Sequence, residues 1–114
     1  MLNIRLLNLR GEVTDIRIPS HIRGLPVTVI GNSAFARRQL TSVVIPNTVT
    51  YIGNTAFWHN QLSDVIIPSS VTRIGNSTFA RNHITSVVIP DSVTYIGTMA
   101  FDASVYVHGM DRMN

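Results

Sequence analysis

The chain keeps strict step with itself at a period of 22 residues. Leu40 to Gln61 reads LTSVVIPNTVTYIGNTAFWHNQ, and it recurs as LSDVIIPSSVTRIGNSTFARNH from Leu62 and as ITSVVIPDSVTYIGTMAF from Ile84. Pro46, Pro68 and Pro90 are 22 apart, as are Gly31, Gly53, Gly75 and Gly97, and Phe35, Phe57, Phe79 and Phe101. A fixed period of this length excludes most globular topologies. It demands a solenoid, in which each unit buries its apolar side only against its neighbours.

Within the unit, LTSVVIP places apolar residues at positions one, four and six (Leu40, Val43, Ile45). That spacing predicts a short strand whose alternate side chains enter the core, and proline then ends it because it has no N–H for a continuing ladder. Val49 and Ile52 supply a second inward pair on the return leg. The invariant glycine that follows is expected to hold a backbone arrangement that a Cβ would obstruct. Asn32, Asn54 and Asn76 then stand where N-caps would open a short helical turn carrying Ala34/Phe35, Ala56/Phe57 and Thr78/Phe79 inward. Stacking at about 4.8 Å per unit makes the four phenylalanines a column.

The string IP-x-x-V-T-x-I-G-x-x-A-F, tandemly repeated after L-T-S-V, resembles the BspA-like leucine-rich-repeat family. Ile18 to Gly31 is similar to that family's opening repeat, with five extra residues before V-T-x-I-G that are expected to bulge at Arg23–Pro26. The resemblance spans about Val13 to Phe101. It implies a right-handed leucine-rich-repeat solenoid of about four repeats plus terminal caps, with short parallel strands on one side and turns or short helices on the other. It further implies a bacterial surface or secreted protein of adhesion type, binding another protein. Many members carry Cys three residues after the Phe, where this chain has Arg38, Asn60, Asn82 and Ser104. Asn there is expected to form a ladder to loop carbonyls, a role Arg38 cannot take.

At 114 residues this is one domain. Residues 1–12 read as a cap strand, followed by repeats 13–39, 40–61, 62–83 and 84–104, with 105–114 a C-terminal cap and fraying tail. Val105 and Val107 offer a last short strand. The N-terminus lacks the apolar segment and cleavage site of a secretory signal, which leaves an internal protein, a mature domain or a fragment as readings. No apolar run is long enough to span a membrane. With no cysteine, thiolate metal sites and disulfides are excluded.

All nine basic residues are Arg, and the formal net charge is +3. The excess is modest and the Arg are scattered over the repeat, so nucleic acid is a poor fit as partner. His21, His59, His83 and His108 show no metal-ligand spacing, no G-x-S-x-G elbow is present, and glycine occurs singly rather than in a phosphate loop. Asn76-Ser77-Thr78 is formally a glycosylation sequon, but its Asn sits in the capping column. These observations point away from an enzyme, a cofactor or a metal.

Two columns remain as candidate binding surfaces. If Val43 and Ile45 point inward, alternation turns Arg17, Val44, Ile66 and Val88 outward, flanked by Asp15, Ser42, Asp64 and Ser86. Three adjacent β-branched residues are either good strand formers or an interface for a partner or a second copy of the chain. The second column follows each Phe, where Arg37, His59 and Arg81 form a basic line beside Trp58. Trp and Arg favour interface hot spots, and a polyanion or carbohydrate is the further reading of that line.

Overall fold

The strongest demand of the repeat is that equivalent residues of successive coils pair, and a computed structural model, which describes residues 2–4 and 14–109, shows them paired. Among the described residues ten strands appear in chain order: β1 Leu2–Ile4, β2 Asp15–Arg17, β3 His21–Ile22, β4 Leu25–Ile30, β5 Ser42–Val44, β6 Tyr51–Ile52, β7 Arg73–Ile74, β8 Ser86–Val88, β9 Tyr95–Ile96 and β10 Tyr106–His108. The main sheet runs β1-β4-β6-β7-β9, all parallel, with register Ile30↔Ile52↔Ile74↔Ile96. It lies on the V-T-x-I leg, not on the L-T-S-V-V leg where the sequence spacing places it. A threonine ladder explains the preference. The N–H groups of Thr50, Thr72 and Thr94 each donate to the carbonyl of the Thr one coil earlier at 2.8 Å, and their hydroxyls approach the same oxygens at 3.2 Å.

The L-T-S-V-V leg forms only two short parallel pairs, β2 with β5 and β8 with β10. Between them, Asp64 to Ile66 of the third coil joins no strand among the described residues. Expected strand alternation nonetheless holds in burial. Leu62, Val65 and Ile67 are buried and Ile66 is exposed.

Among the described residues no helix forms, which corrects the expectation of helical turns capped by Asn. Ser33, Thr55, Ser77 and Met99 adopt φ between +53° and +58°, which turns the chain out of the helical path. The turn amides therefore point across to the next coil, as in Ser33 N–H to Asn54 O at 2.9 Å and Phe57 N–H to Thr78 O at 2.9 Å. Each Asn carboxamide oxygen accepts from the same position one coil on: Asn54 N–H to Asn32, Asn76 N–H to Asn54, and Thr98 N–H to Asn76, at 2.8–2.9 Å. The Asn are caps, but of neighbouring coils rather than of helices.

This close approach is what the glycines serve, and their φ is not in the left-handed region. A Cβ on Gly75 would lie 2.5 Å from the Asn54 carboxamide oxygen and 2.7 Å from its backbone nitrogen. Inside, the core is a set of columns: Leu40/Leu62/Ile84, Val43/Val65/Val87, Ile45/Ile67/Ile89 and Val49/Val71/Val93. The four phenylalanine rings stack nearly parallel, with centroids 5.3–5.4 Å apart and planes within 4–8°. Thr78 stands in the alanine column, fully buried, its hydroxyl 2.7 Å from Gly75 O and 3.0 Å from Gly53 O.

The five-residue insertion is not a bulge but a hairpin. Arg23 (φ 53°) and Gly24 (φ 78°) form a two-residue turn that folds β3 antiparallel onto the start of β4, pairing His21 with Pro26 and Ile22 with Leu25. At the N-terminal end β1 pairs with Val27, Val29 and Ile30, whereas the rest of the expected cap segment, Val13 and the tail from Met110 lie outside the described residues.

Two substitutions measure this packing. Phe57→Ala removes the most enclosed ring of the column and is expected to cost about 3–5 kcal/mol. A thermal melt close to that of the parent protein would contradict a stacked interior column. Gly75→Ala forces two coils apart where each is hydrogen-bonded to the other, and an overpacking cost of roughly 1–3 kcal/mol is expected in urea denaturation.

Candidate functional site

Two surfaces carry the candidate residues. The first is the outer face of β2, β5, the third coil's unpaired leg, β8 and β10. Register places Arg17 beside Val44 and Val88 beside His108, so the outward row runs Arg17, Val44, Ile66, Val88, His108. Val44, Ile66 and Val88 are 45%, 83% and 65% exposed. Because the third coil's leg pairs with neither neighbour, Ile66 stands between two shallow apolar grooves. One, of about 290 Å³, is lined by Val44, Ile45, Asn47 and Pro68, and the other, of about 350 Å³, by Ile67, Val87, Val88 and Pro90. Asp15 in the flanking column accepts from the Ser42 hydroxyl.

Tyr106 and His108 belong to this face and were not among the residues singled out from the sequence. Their rings are 4.2 Å apart, and Tyr106 is exposed. The signal was available in the alternation Tyr106-Val107-His108. Once Val107 packs on the core, its neighbours must face outward.

The second surface is the loop after each Phe. Arg37, His59 and Arg81 occupy equivalent positions in three successive coils, with φ of 56°, 60° and 60°. The Arg37 guanidinium lies 4.6 Å from the centroid of the Trp58 ring, that of Arg81 6.0 Å away, and the His59 ring meets Trp58 edge-on at 5.3 Å. All four residues expected on this line are therefore together. Two positions further on, Gln39, Gln61 and His83 make a parallel row, and between the rows lies a groove of about 600 Å³. The two loop histidines, out of step in the repeat, line this same groove from opposite rows.

Its floor is the expected asparagine ladder. The Asn60 carboxamide oxygen accepts from the N–H groups of Arg38 and Leu40 at 2.9 and 3.0 Å, while its NH₂ donates to the carbonyls of Phe35 and Phe57. Asn82 repeats the pattern with Leu62 N–H and the Phe57 and Phe79 carbonyls. Each Asn ties its own loop to the preceding one, and Arg38 takes no part as an acceptor. The last coil has Ser104 instead, and the Asp102 carboxylate takes over by accepting from Arg81 N–H at 2.9 Å and Asn82 N–H at 3.3 Å.

Among the described residues no group of three His, Cys, Asp or Glu could hold a metal ion, and no helix is long and apolar enough to cross a membrane. The sequon is compromised by packing, since the Asn76 carboxamide caps Thr98 and Thr78 is fully buried.

Comparison with known proteins agrees with this geometry. The model of the BspA type leucine rich repeat region matches residues 9–108, in six copies. A leucine-rich repeat protein from Bacteroides capillosus is similar in structure, with 32% identity and a TM-score of 0.72, over 87% of this chain and 80% of that one. A leucine-rich repeat protein from Bacteroides ovatus gives 29% identity and a TM-score of 0.62, over 91% of this chain but only 36% of its own. The T. pallidum leucine rich repeat protein, at 24% identity and a TM-score of 0.61 over 79% of this chain and 54% of that one, shares the fold. No curated protein matches the sequence significantly.

The asparagine floor is open to measurement. Asn60→Ala leaves two amides and two carbonyls without their buried partner, and should cost about 3 kcal/mol or more. Because Trp58 is the one tryptophan of the chain, its emission should shift as the loop loosens. An unchanged melt and spectrum would mean that the ladder does not hold the loop.

Proposed function

The chain belongs to the BspA-type leucine-rich-repeat family, and on that premise we propose that it is a non-catalytic protein-binding module whose contact face is the row Arg17, Val44, Ile66, Val88. The observation that carries this reading is Ile66, a large aliphatic side chain 83% exposed between two apolar grooves. Isolated apolar residues on a surface are ordinary, but a row of three with cavities between them offers pockets for a partner's side chains. Arg17 and His108 bound the row and supply a polar rim. An adhesion role at a cell surface is the finer form of this reading, supported by the family resemblance.

The test is Ile66→Glu. The side chain points away from the core columns, so the melt should move by less than about 1 kcal/mol, as exposed substitutions do. A charge at the centre of a desolvated contact should weaken capture of the partner from host or bacterial extracts by roughly 2 kcal/mol, about thirtyfold in Kd. Arg81→Glu, on the loop surface, should leave that capture intact. The reverse pattern overturns the assignment of the face. Loss of a dimer in light scattering upon Ile66→Glu would make the partner a second copy of the chain.

A further inference from the structure

The loop groove has features that the apolar face does not explain. Its row of Arg37, His59 and Arg81 occupies backbone positions with φ near +60°, where glycine and asparagine are the low-strain choices. The chain keeps Arg37, His59 and Arg81 there in three coils running, which lines their side chains along one edge of the groove. Trp58 fills a position that is Ala36 in the coil before and Ala80 in the coil after. Those small neighbours leave its ring accessible to the guanidinium of Arg37 at 4.6 Å. An arginine held on an aromatic face loses less freedom when it takes up an anion. The one carboxylate described at the groove's floor, Asp102, lies at its last-coil end and is engaged by the N–H groups of Arg81 and Asn82, and the facing row, Gln39, Gln61 and His83, is made of planar groups that both donate and accept.

Spacing selects among anionic ligands. Arg37 and Arg81 are two coils apart, and their guanidinium groups lie 4.6 and 6.0 Å from the centroid of the same Trp58 ring, so at most about 10.6 Å separates the two charges. A disaccharide of an extended polysaccharide covers about the same length. Its hydroxyls, which both donate and accept, match the glutamine row. Single-stranded nucleic acid relies on several aromatic platforms, whereas the chain's one tryptophan stands beside the groove rather than in its lining and carries Arg37 on its ring. We propose that this groove binds a linear acidic polysaccharide, carboxylated or sulfated, laid along the solenoid axis. Arg37 and Arg81 take anionic groups two sugars apart, and Gln39, Gln61 and His83 take hydroxyls between them. This site is separate from the apolar face and stands or falls independently of it.

The experiment titrates the intact chain with hexasaccharides of three kinds, uronate, sulfated and neutral, and with oligo-dT and poly-Glu of equal charge, following Trp58 fluorescence and heat. Expected is binding of one or both acidic saccharides, weakened steeply by added salt, with the neutral saccharide silent. Comparison of the uronate and sulfated arms identifies the anionic group. Arg37→Gln combined with Arg81→Gln should lower affinity at least tenfold, with an unchanged melt. The charge-matched pair Arg17→Gln and Arg73→Gln, on other faces, should leave affinity within twofold. Gln61→Ala should weaken the saccharide and not poly-Glu, and Ile66→Glu should change nothing. Equal affinity for oligo-dT or poly-Glu overturns the saccharide assignment. Absence of binding, or binding indifferent to the Arg37/Arg81 pair, overturns the site.

Discussion

One hydrogen-bond length between coils is the constraint on which the molecule depends. On the V-T-x-I leg, each of Thr50, Thr72 and Thr94 bonds the carbonyl of its counterpart one coil earlier at 2.8 Å, and the glycines bond Ile30, Ile52 and Ile74 at the same distance. That spacing leaves no room for a Cβ at the glycine, where the preceding coil's Asn already sits 2.5 Å from its ideal position. It also presses the phenylalanine rings into parallel stacks rather than the edge-to-face pairs aromatic rings often prefer. Identical side chains in identical register have one arrangement that repeats without clash, and this is it.

The opposite leg is not held in the same way. The third coil's Asp64–Ile66 stretch joins no ladder, while Val65 and Ile67 stay buried on either side of exposed Ile66. The third coil is thus paired with its neighbours at the threonine ladder and not along this stretch, where the apolar grooves lie on either side of Ile66. A regular sheet would have closed them.

The loop surface is tied down by different bonds. Asn60 and Asn82 satisfy the loop carbonyls and amides from below, through bonds of 2.9–3.0 Å. With the backbone served by buried carboxamides, the side chains of Arg37, Trp58, His59 and Arg81 are released to face outward. The two surfaces share the core columns but no side chain. A substitution at the tip of one is therefore expected to leave the other unaltered, which is the separation the proposed variants rely on.

The 22-residue period by itself determined the solenoid, its buried columns and the asparagine ladder, because an in-register repeat admits one inward set. Proline, glycine and the apolar spacing are local signals, and they were legible. The sequence also marked Val44, Ile66 and Val88 as outward by alternation alone. Only the tertiary structure decided which leg carries the main sheet, since both legs offer β-branched residues and the choice rests on a threonine ladder between coils. It likewise replaced the expected helical turns by left-handed residues at Ser33, Thr55 and Ser77, whose amides find partners one coil on, at Asn54, Asn76 and Thr98, rather than four residues away. The hairpin at Arg23-Gly24, the groove between the Arg37 and Gln39 rows, and the addition of Tyr106 and His108 to the apolar face have the same origin. Each depends on where one coil lies against the next, a relation between segments distant in sequence that no single stretch encodes.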